Sequence, residues 1–220
     1  WYRRHLRYGL VFMGVLVGMG GPSQIIRVHD MRDWAQRLPE CHDYFSHRKP
    51  FWPDIYWQLF CRFEFEHPPQ LNIEPEISGD PVMRFFDKSW WLIQIALAVI
   101  FYQIGGVSWV VWGCCLRVFI SIFGHWTVTY MCHNPGPGRW FVKTAGVQAS
   151  NLRFGGFLTH GECWHNNHHA FPESAQIGLE AHQIDPAWGI IHFLEKRGWA
   201  THVGRPRHIN DRDDLQDIRP

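Results

Sequence analysis

Trp90 to Trp126 (WWLIQIALAVIFYQIGGVSWVVWGCCLRVFISIFGHW) is the only long apolar run in this chain. As one helix rising ~1.5 Å per residue it would far exceed a ~30 Å hydrocarbon core. Gly105-Gly106 lies near its middle. The run therefore predicts two antiparallel membrane spans, about 90–104 and 107–126, joined by a tight turn. Both outer ends then emerge on one side, with the rest of the chain. Arg117, inside the second span, is costly in lipid and is expected to face protein or to snorkel. A second apolar stretch, Tyr8 to Gly20, is short of the ~20 residues a span needs. Arg3, Arg4 and Arg7 precede it, and Arg27, Arg32 and Arg37 follow. A span there would put clustered Arg on both membrane faces, against the positive-inside tendency. A buried or interfacial helix is expected instead.

The net charge of +1 gives no basic footprint, so no nucleic-acid partner is expected. Aromatics make up 16% of the chain, with 13 Trp, and there are 15 His. Trp and Tyr favour membrane–water interfaces, and His favours metals. The six Cys form no CxxC pair and no disulfide-like pattern, which fits a reducing, cytosol-facing setting. Arg205 to Pro220 is charged and nearly free of apolar residues, so a disordered tail is expected over 206–220.

The densest chemical signal is Gly161 to Ser174, GECWHNNHHAFPES. In a helix, His165, His168 and His169 fall at i, i+3 and i+4 and share one side. Neutral imidazole is the commonest protein ligand for iron, zinc or copper, and spacing alone does not name the metal. His125, Thr129 and His133 fall at i, i+4 and i+8 on a helix that continues the second span. Ile25 to Arg37 reads as a helix ended near Pro39, with His29 and Asp33 on one face. A plain helical ion pair and metal ligation both account for that pair. Arg32 has no lone pair to offer a metal. His42 and His47 stand five apart in a Pro-rich stretch. Metal ligation is one reading of them, and a head-group or surface role for His47, Arg48 and Lys49 is the other. Glu162, Asp30 and Glu173 are candidate acceptors for the far nitrogens of metal-bound histidines, Asn166 is a candidate ligand or supporting partner of the cluster, and His160 is at most a supporting one.

GECWHNNHHAFPES resembles the third histidine box of the membrane fatty-acid desaturases, acyl-CoA desaturase type, and the resemblance covers about residues 5 to 205. It implies an all-α membrane protein: a helical hairpin in the bilayer and a cytosol-side helical metal-binding domain. It implies two irons held almost wholly by histidine, with dioxygen and an electron donor such as a ferredoxin, cytochrome b5 or a reductase. The implied reaction inserts a cis double bond into an acyl chain carried on coenzyme A or a lipid. Tyr8 to Gly20 matches the in-plane helix between the first and second boxes. His29-Asp30-Met31-Arg32-Asp33 matches the second box, HxxHH, with Arg32 and Asp33 in place of two histidines. WTVTYMCHNPG is similar to W-x-x-N-x-x-x-H, which makes His133 a ligand and puts Thr129 where an Asn holds a metal-bound water. The implied ligands are His29, Asp33, His133, His165, His168 and His169.

No HxxxxH stands ahead of the second-box match at His29, and in the family the first box lies just ahead of the segment that begins this chain. The chain, opening Trp1-Tyr2-Arg3-Arg4, is read as an N-terminally truncated desaturase domain over 1–205. Alternatives of other kinds stay open: a non-catalytic membrane protein that keeps the fold and a partial metal site, or a related lipid hydroxylase.

Overall fold

The computed structural model describes residues 2–35, 50–61, 66–67, 69–70, 72–206 and 212–219, without the side chains of 32, 33, 35 and 57–59. They fall into two compact units. One comprises Arg3–Asp33 and Pro69–Thr127, and the other Trp1–Tyr2, Trp34–Pro68 and Val128–Pro220. His42 and His47 lie outside the described residues.

The first unit opens with α1 (Arg4–Leu16) and α2 (Pro22–Ala35), which Gly18 to Gly21 separate. At 13 residues α1 is too short to span a bilayer. It packs on the helix that begins at Pro81: Val15 is 1% exposed, and the Phe12 and Phe86 rings lie 6.2 Å apart. After the single turn α4 (Pro75–Ser78), α5 runs Pro81–Val110. Asp80 caps it, accepting from Val82 N at 2.8 Å, with Pro81 in the first turn, where no N–H is needed. Tyr8 Oη donates to the same carboxylate at 2.8 Å, so one group ends α5 and holds α1. Asp87 does likewise for α2, accepting from Ser23 N at 2.9 Å.

The chain breaks where the sequence places the break. Gly105 (φ −148°, ψ 20°) and Gly106 (φ 68°, ψ −158°) leave helical geometry. Gly106 occupies a region essentially closed to other residues. Beyond it the chain passes through a π-helical segment (Val111–Leu116) into α6 (Arg117–Cys132) and runs back along α5. The Phe101 and Trp109 rings lie 6.2 Å apart. A Cβ at Gly113 would meet the Phe101 ring at 2.7 Å. Arg117 Nη2 donates to Gln94 Oε1 at 2.6 Å, and Nε to Gly113 O at 2.8 Å. Gln94 Nε2 in turn donates to Val15 O at 2.5 Å. Arg117 thus faces protein, the first of the two expectations. Among the described residues only Pro81–Cys132 is long and apolar enough to cross a membrane, and its apolar window is 0% buried.

The second unit holds α3 (Phe51–Phe60), β1 (Trp140–Val142), α7 (His165–Ala170), α8 (Pro186–Lys196) and β2 (Leu215–Asp217). Asp185 caps α8 through Trp188 N at 2.9 Å, with Pro186 in the first turn. β2 pairs antiparallel with β1, Phe141 opposite Gln216. This corrects the expected disorder of 206–220 for Arg212 to Arg219. The tail has few apolar residues, but its charges find partners. Arg139 Nη2 donates to Asp217 Oδ2 at 2.8 Å, and Thr144 Oγ1 to Asp214 Oδ2 at 2.7 Å.

Those pairs predict acid lability. Hydrogen bonds from Arg212 and then Thr144 hold the Asp214 carboxyl at about 2. Arg139 and Arg219 hold Asp217 well below the usual carboxylate range. A depressed carboxylate contributes stability above its unfolded pKa of ~3.9 and loses it as pH falls through the folded value. Amide-exchange protection at Leu215–Asp217 should hold from neutral pH down to about 4 and fall from there towards 2. Asp217→Asn should lower it already at neutral pH. Protection that ignores both acid and Asp217→Asn would show that the ion pairs do not hold the strand.

Candidate metal centre

α6 ends at Cys132, and Pro135-Gly136-Pro137-Gly138 cannot continue it. Ser150 serves two carbonyls at that end: its single Oγ–H is shared between Cys132 O and Asn134 O, each at 2.9 Å. His133 stands in this capped turn, 6% exposed. Its Nδ1 lies 2.9 Å from Thr129 O. A carbonyl only accepts, so Nδ1 carries the proton and Nε2 presents its lone pair. Thr129 orients His133 through its backbone carbonyl, which any residue would supply.

α7 is the histidine cluster itself. Its imidazoles and its amides separate by helical phase. Asn166 and Asn167 are 3% and 2% exposed and face the protein. Asn166 Oδ1 accepts from Arg139 N and Trp140 N, each at 2.9 Å. Its Nδ2 donates to Trp140 O at 2.8 Å and Ala149 O at 2.9 Å. Its backbone N donates to Asn151 Oδ1 at 3.0 Å. All four bonds of the amide are made, so Asn166 is a fastener and not a ligand, which corrects one sequence-level candidate. The approach is close: a Cβ at Gly138 would sit 2.8 Å from Asn166 Nδ2. Asn167 Nδ2 donates to Ile177 O and Gln183 Oε1, each at 2.8 Å.

With the amides turned inward, His165 and His169 meet His133. His133 Nε2 lies 3.3 Å from His169 Nε2, which lies 3.2 Å from His165 Nε2. The three donor atoms lie within 4.8 Å of one another. Ligand nitrogens on one metal at ~2.1 Å bonds lie ~3.0–3.4 Å apart, so the 3.3 and 3.2 Å separations fit a shared cation. The proton count agrees. The His133 Nε2 lone pair is fixed by its carbonyl partner, and one imidazole N–H cannot serve two such neighbours, whereas a cation accepts all three lone pairs. Behind the rings, Cys132 and Cys163 are fully buried, and Cys132 Sγ donates to Cys163 O at 3.8 Å. Burial pushes the Cys163 thiol up, so it stays protonated and inert.

His168 is not part of this group. The His168 ring lies 5.5 Å from that of His165 and 5.9 Å from that of His169, and its nitrogens do not join the three. His125 and Glu162 are exposed, as are His160 and Glu173. His29 belongs to the other unit and sits half-exposed on α2, with Nδ1 3.3 Å from Asp30 Oδ1. The side chains of Arg32 and Asp33 lie outside the described residues. Sequence reasoning missed the fasteners Ser150, Asn151 and Asn166. The paired Asn inside the box was the available signal, because no solvated turn needs two buried amides.

Asn166→Ala should leave the Arg139 and Trp140 N–H groups buried without partners and lower unfolding stability by about 3 kcal/mol. Thermal unfolding in detergent checks this; an unchanged midpoint would show that the amide is not what joins β1 to α7.

The family model "Fatty acid desaturase" matches residues 3–205. The chain is 34% identical over 90% of its length to sn-1 stearoyl-lipid 9-desaturase of Anabaena variabilis, covering 71% of that protein. It is 35% identical over 91% of its length to the chloroplastic palmitoyl-monogalactosyldiacylglycerol delta-7 desaturase of Arabidopsis thaliana, covering 53% of it. Against acyl-CoA 5-desaturase AL21 of Anemone leveillei it is 29% identical over 95% of its length and covers 64%. No solved structure matches the chain. With three histidine nitrogens turned on one point and the family model spanning almost all its residues, the chain belongs to the fatty acid desaturase family.

Proposed function

We propose that the protein is an oxygen-dependent acyl desaturase that introduces a cis double bond into a fatty acyl chain. The observation that carries this reading is the convergence of His133, His165 and His169 Nε2 at metal-ligand separations. The relatives are named as acyl-lipid and acyl-CoA desaturases, which supports a fatty acyl substrate. The proposed cofactor is a pair of irons; iron bound there supplies the dioxygen chemistry that an unactivated methylene C–H requires. The balance is one CH2–CH2 unit, one dioxygen, two electrons and two protons giving CH=CH and two waters. The electrons come from a donor such as a ferredoxin, cytochrome b5 or a reductase.

The chain's own residues hold and orient. Thr129 O fixes the His133 tautomer, Ser150 caps the turn that carries it, and Asn166 seats α7. His29, Asp33 and His168 are the remaining proposed ligands, on the family match. Pro81–Cys132 is proposed to form the bilayer hairpin, turning at Gly105-Gly106, with the metal-binding unit on the cytoplasmic side. A lipid tail then reaches the metal without crossing water.

The test is iron analysis together with lipid profiling of cells expressing the full-length protein. His133→Ala and His169→Ala should each remove most of the iron and reduce product at least a hundredfold. Asp33→Ala should lower iron and product together, and Asp33→His should restore both. Full iron and product in His169→Ala would sink the reading, and full iron and product in Asp33→Ala would leave His29 as the second box's sole ligand. A hydroxylated acyl product would assign the related hydroxylase reaction.

A further inference from the structure

A cleft of about 430 Å³ opens on the second unit beside the histidine cluster. Arg139, Trp140, Phe171, Gln176, Trp188 and Arg205 line it. It shares its frame with the metal site: Phe171 follows α7 directly, and Trp140 is the residue whose N–H and carbonyl both bond Asn166. The wall has an unusual composition. Each arginine lies over an indole, Arg139 Cζ at 4.3 Å from the Trp140 ring centre and Arg205 Cζ at 5.1 Å from that of Trp188. The Phe171 ring meets Trp140 edge-on at 5.0 Å. Among the described residues no carboxylate lines the cleft. The acidic partners of the arginines stand behind it: Asp217 and Glu180 for Arg139, and Glu195 for Arg205. Donors outnumber acceptors in the wall. Trp140 Nε1–H and Arg205 Nε–H are buried there with no acceptor among the described residues. Gln176 Nε2 is turned away, donating to Gly178 O at 3.2 Å.

We propose that this cleft binds the phosphate-bearing head of the acyl carrier, with Arg205 as the residue that selects for phosphate. The inference rests on the desaturase reading for the acyl end of the ligand, but the cleft's own chemistry names the head. Guanidinium matches phosphate oxygens in a planar, charge-assisted fork. Arg139 is committed to β2 through Asp217, while among the described residues Arg205 has a single carboxylate partner, Glu195, so Arg205 is the one that can turn to a ligand. Indole and phenyl rings seat the flat or apolar part of the head beside it. Two sources share this chemistry, the phosphates of coenzyme A and the headgroup of an anionic phospholipid. A galactolipid does not, because its sugar brings no anionic oxygens for the guanidinium fork of Arg205.

The test titrates the detergent-solubilised protein with coenzyme A, dioctanoyl phosphatidylglycerol and dioctanoyl monogalactosyl glycerol by calorimetry. One of the two phosphate-bearing probes should bind, and which one identifies the carrier. Arg205→Gln should weaken it about tenfold, the loss of one charge-assisted bond, and Arg205→Lys should recover part of that. Glu195→Gln should tighten binding severalfold, because it releases Arg205; misfolding cannot produce a gain. Binding that Arg205→Gln and Glu195→Gln both leave unchanged, binding of the galactolipid alone, or no binding at all overturns the proposal. His169→Ala separates the two readings. It should abolish iron and product and leave this binding intact. If the wild-type protein shows neither iron nor product while Arg205-dependent binding persists, the desaturase reading fails and the cleft stands.

Discussion

The amide of Asn166 meets four backbone groups, two N–H on one side and two carbonyls on the other. Those groups belong to the connection between α6 and α7, so one buried side chain fixes where α7 lies on the chain that leaves α6. The metal candidates follow from that. His133 comes from one end of the connection and His165 and His169 from the other. Nitrogens that must approach to within ~3.4 Å tolerate little slack in what joins them. Neutral imidazoles have no attraction strong enough to assemble themselves. The surrounding bonds hold them facing before any cation arrives: Ser150 on the helix end, Thr129 O on Nδ1, and Asn151 on the start of α7. That is preorganisation in a literal sense, because the cost of ordering the ligands is met in folding rather than on binding.

The other unit solves a different problem with similar means. Arg117 is a full charge in the middle of an apolar helical pair. The protein itself supplies that charge with both a carbonyl, Gly113 O, and an amide oxygen, Gln94 Oε1. Gln94 passes its own N–H to Val15 O. The polar chain crosses from α6 through α5 to α1, and it fixes the register of three elements that apolar contacts alone would let slide. The π-helical segment ahead of Arg117 belongs to the same arrangement. It interrupts the ordinary bonding ladder where the Arg117 side chain takes up the Gly113 carbonyl.

Several elements were legible in residues alone. Gly105-Gly106 breaks the apolar run where the sequence predicts a turn, and Gly106 takes up a conformation that only glycine enters freely. The helical phase of HNNHH put its imidazoles together. Tyr8 to Gly20, set between arginine clusters, formed a short helix packed on α5. The tail was misjudged because disorder was inferred from a lack of apolar residues. Pairing of Arg139 with Asp217, far apart in sequence, is invisible to composition.

What the sequence determined, then, was periodicity and local chemistry: where helices break, which side chains share a face, and which residue types can bind a metal. These follow from covalent geometry and need no neighbours. What only the tertiary structure decided was partnership. It separated His165 and His169, whose nitrogens meet His133, from His168, whose nitrogens do not, although all three share one helical face. It turned Asn166 from a candidate ligand into a fastener, and it made the Thr129 backbone, not its side chain, the group that orients His133. The reason is that hydrogen bonds and metal bonds are decided by tenths of an ångström between atoms whose chain separation carries no distance information.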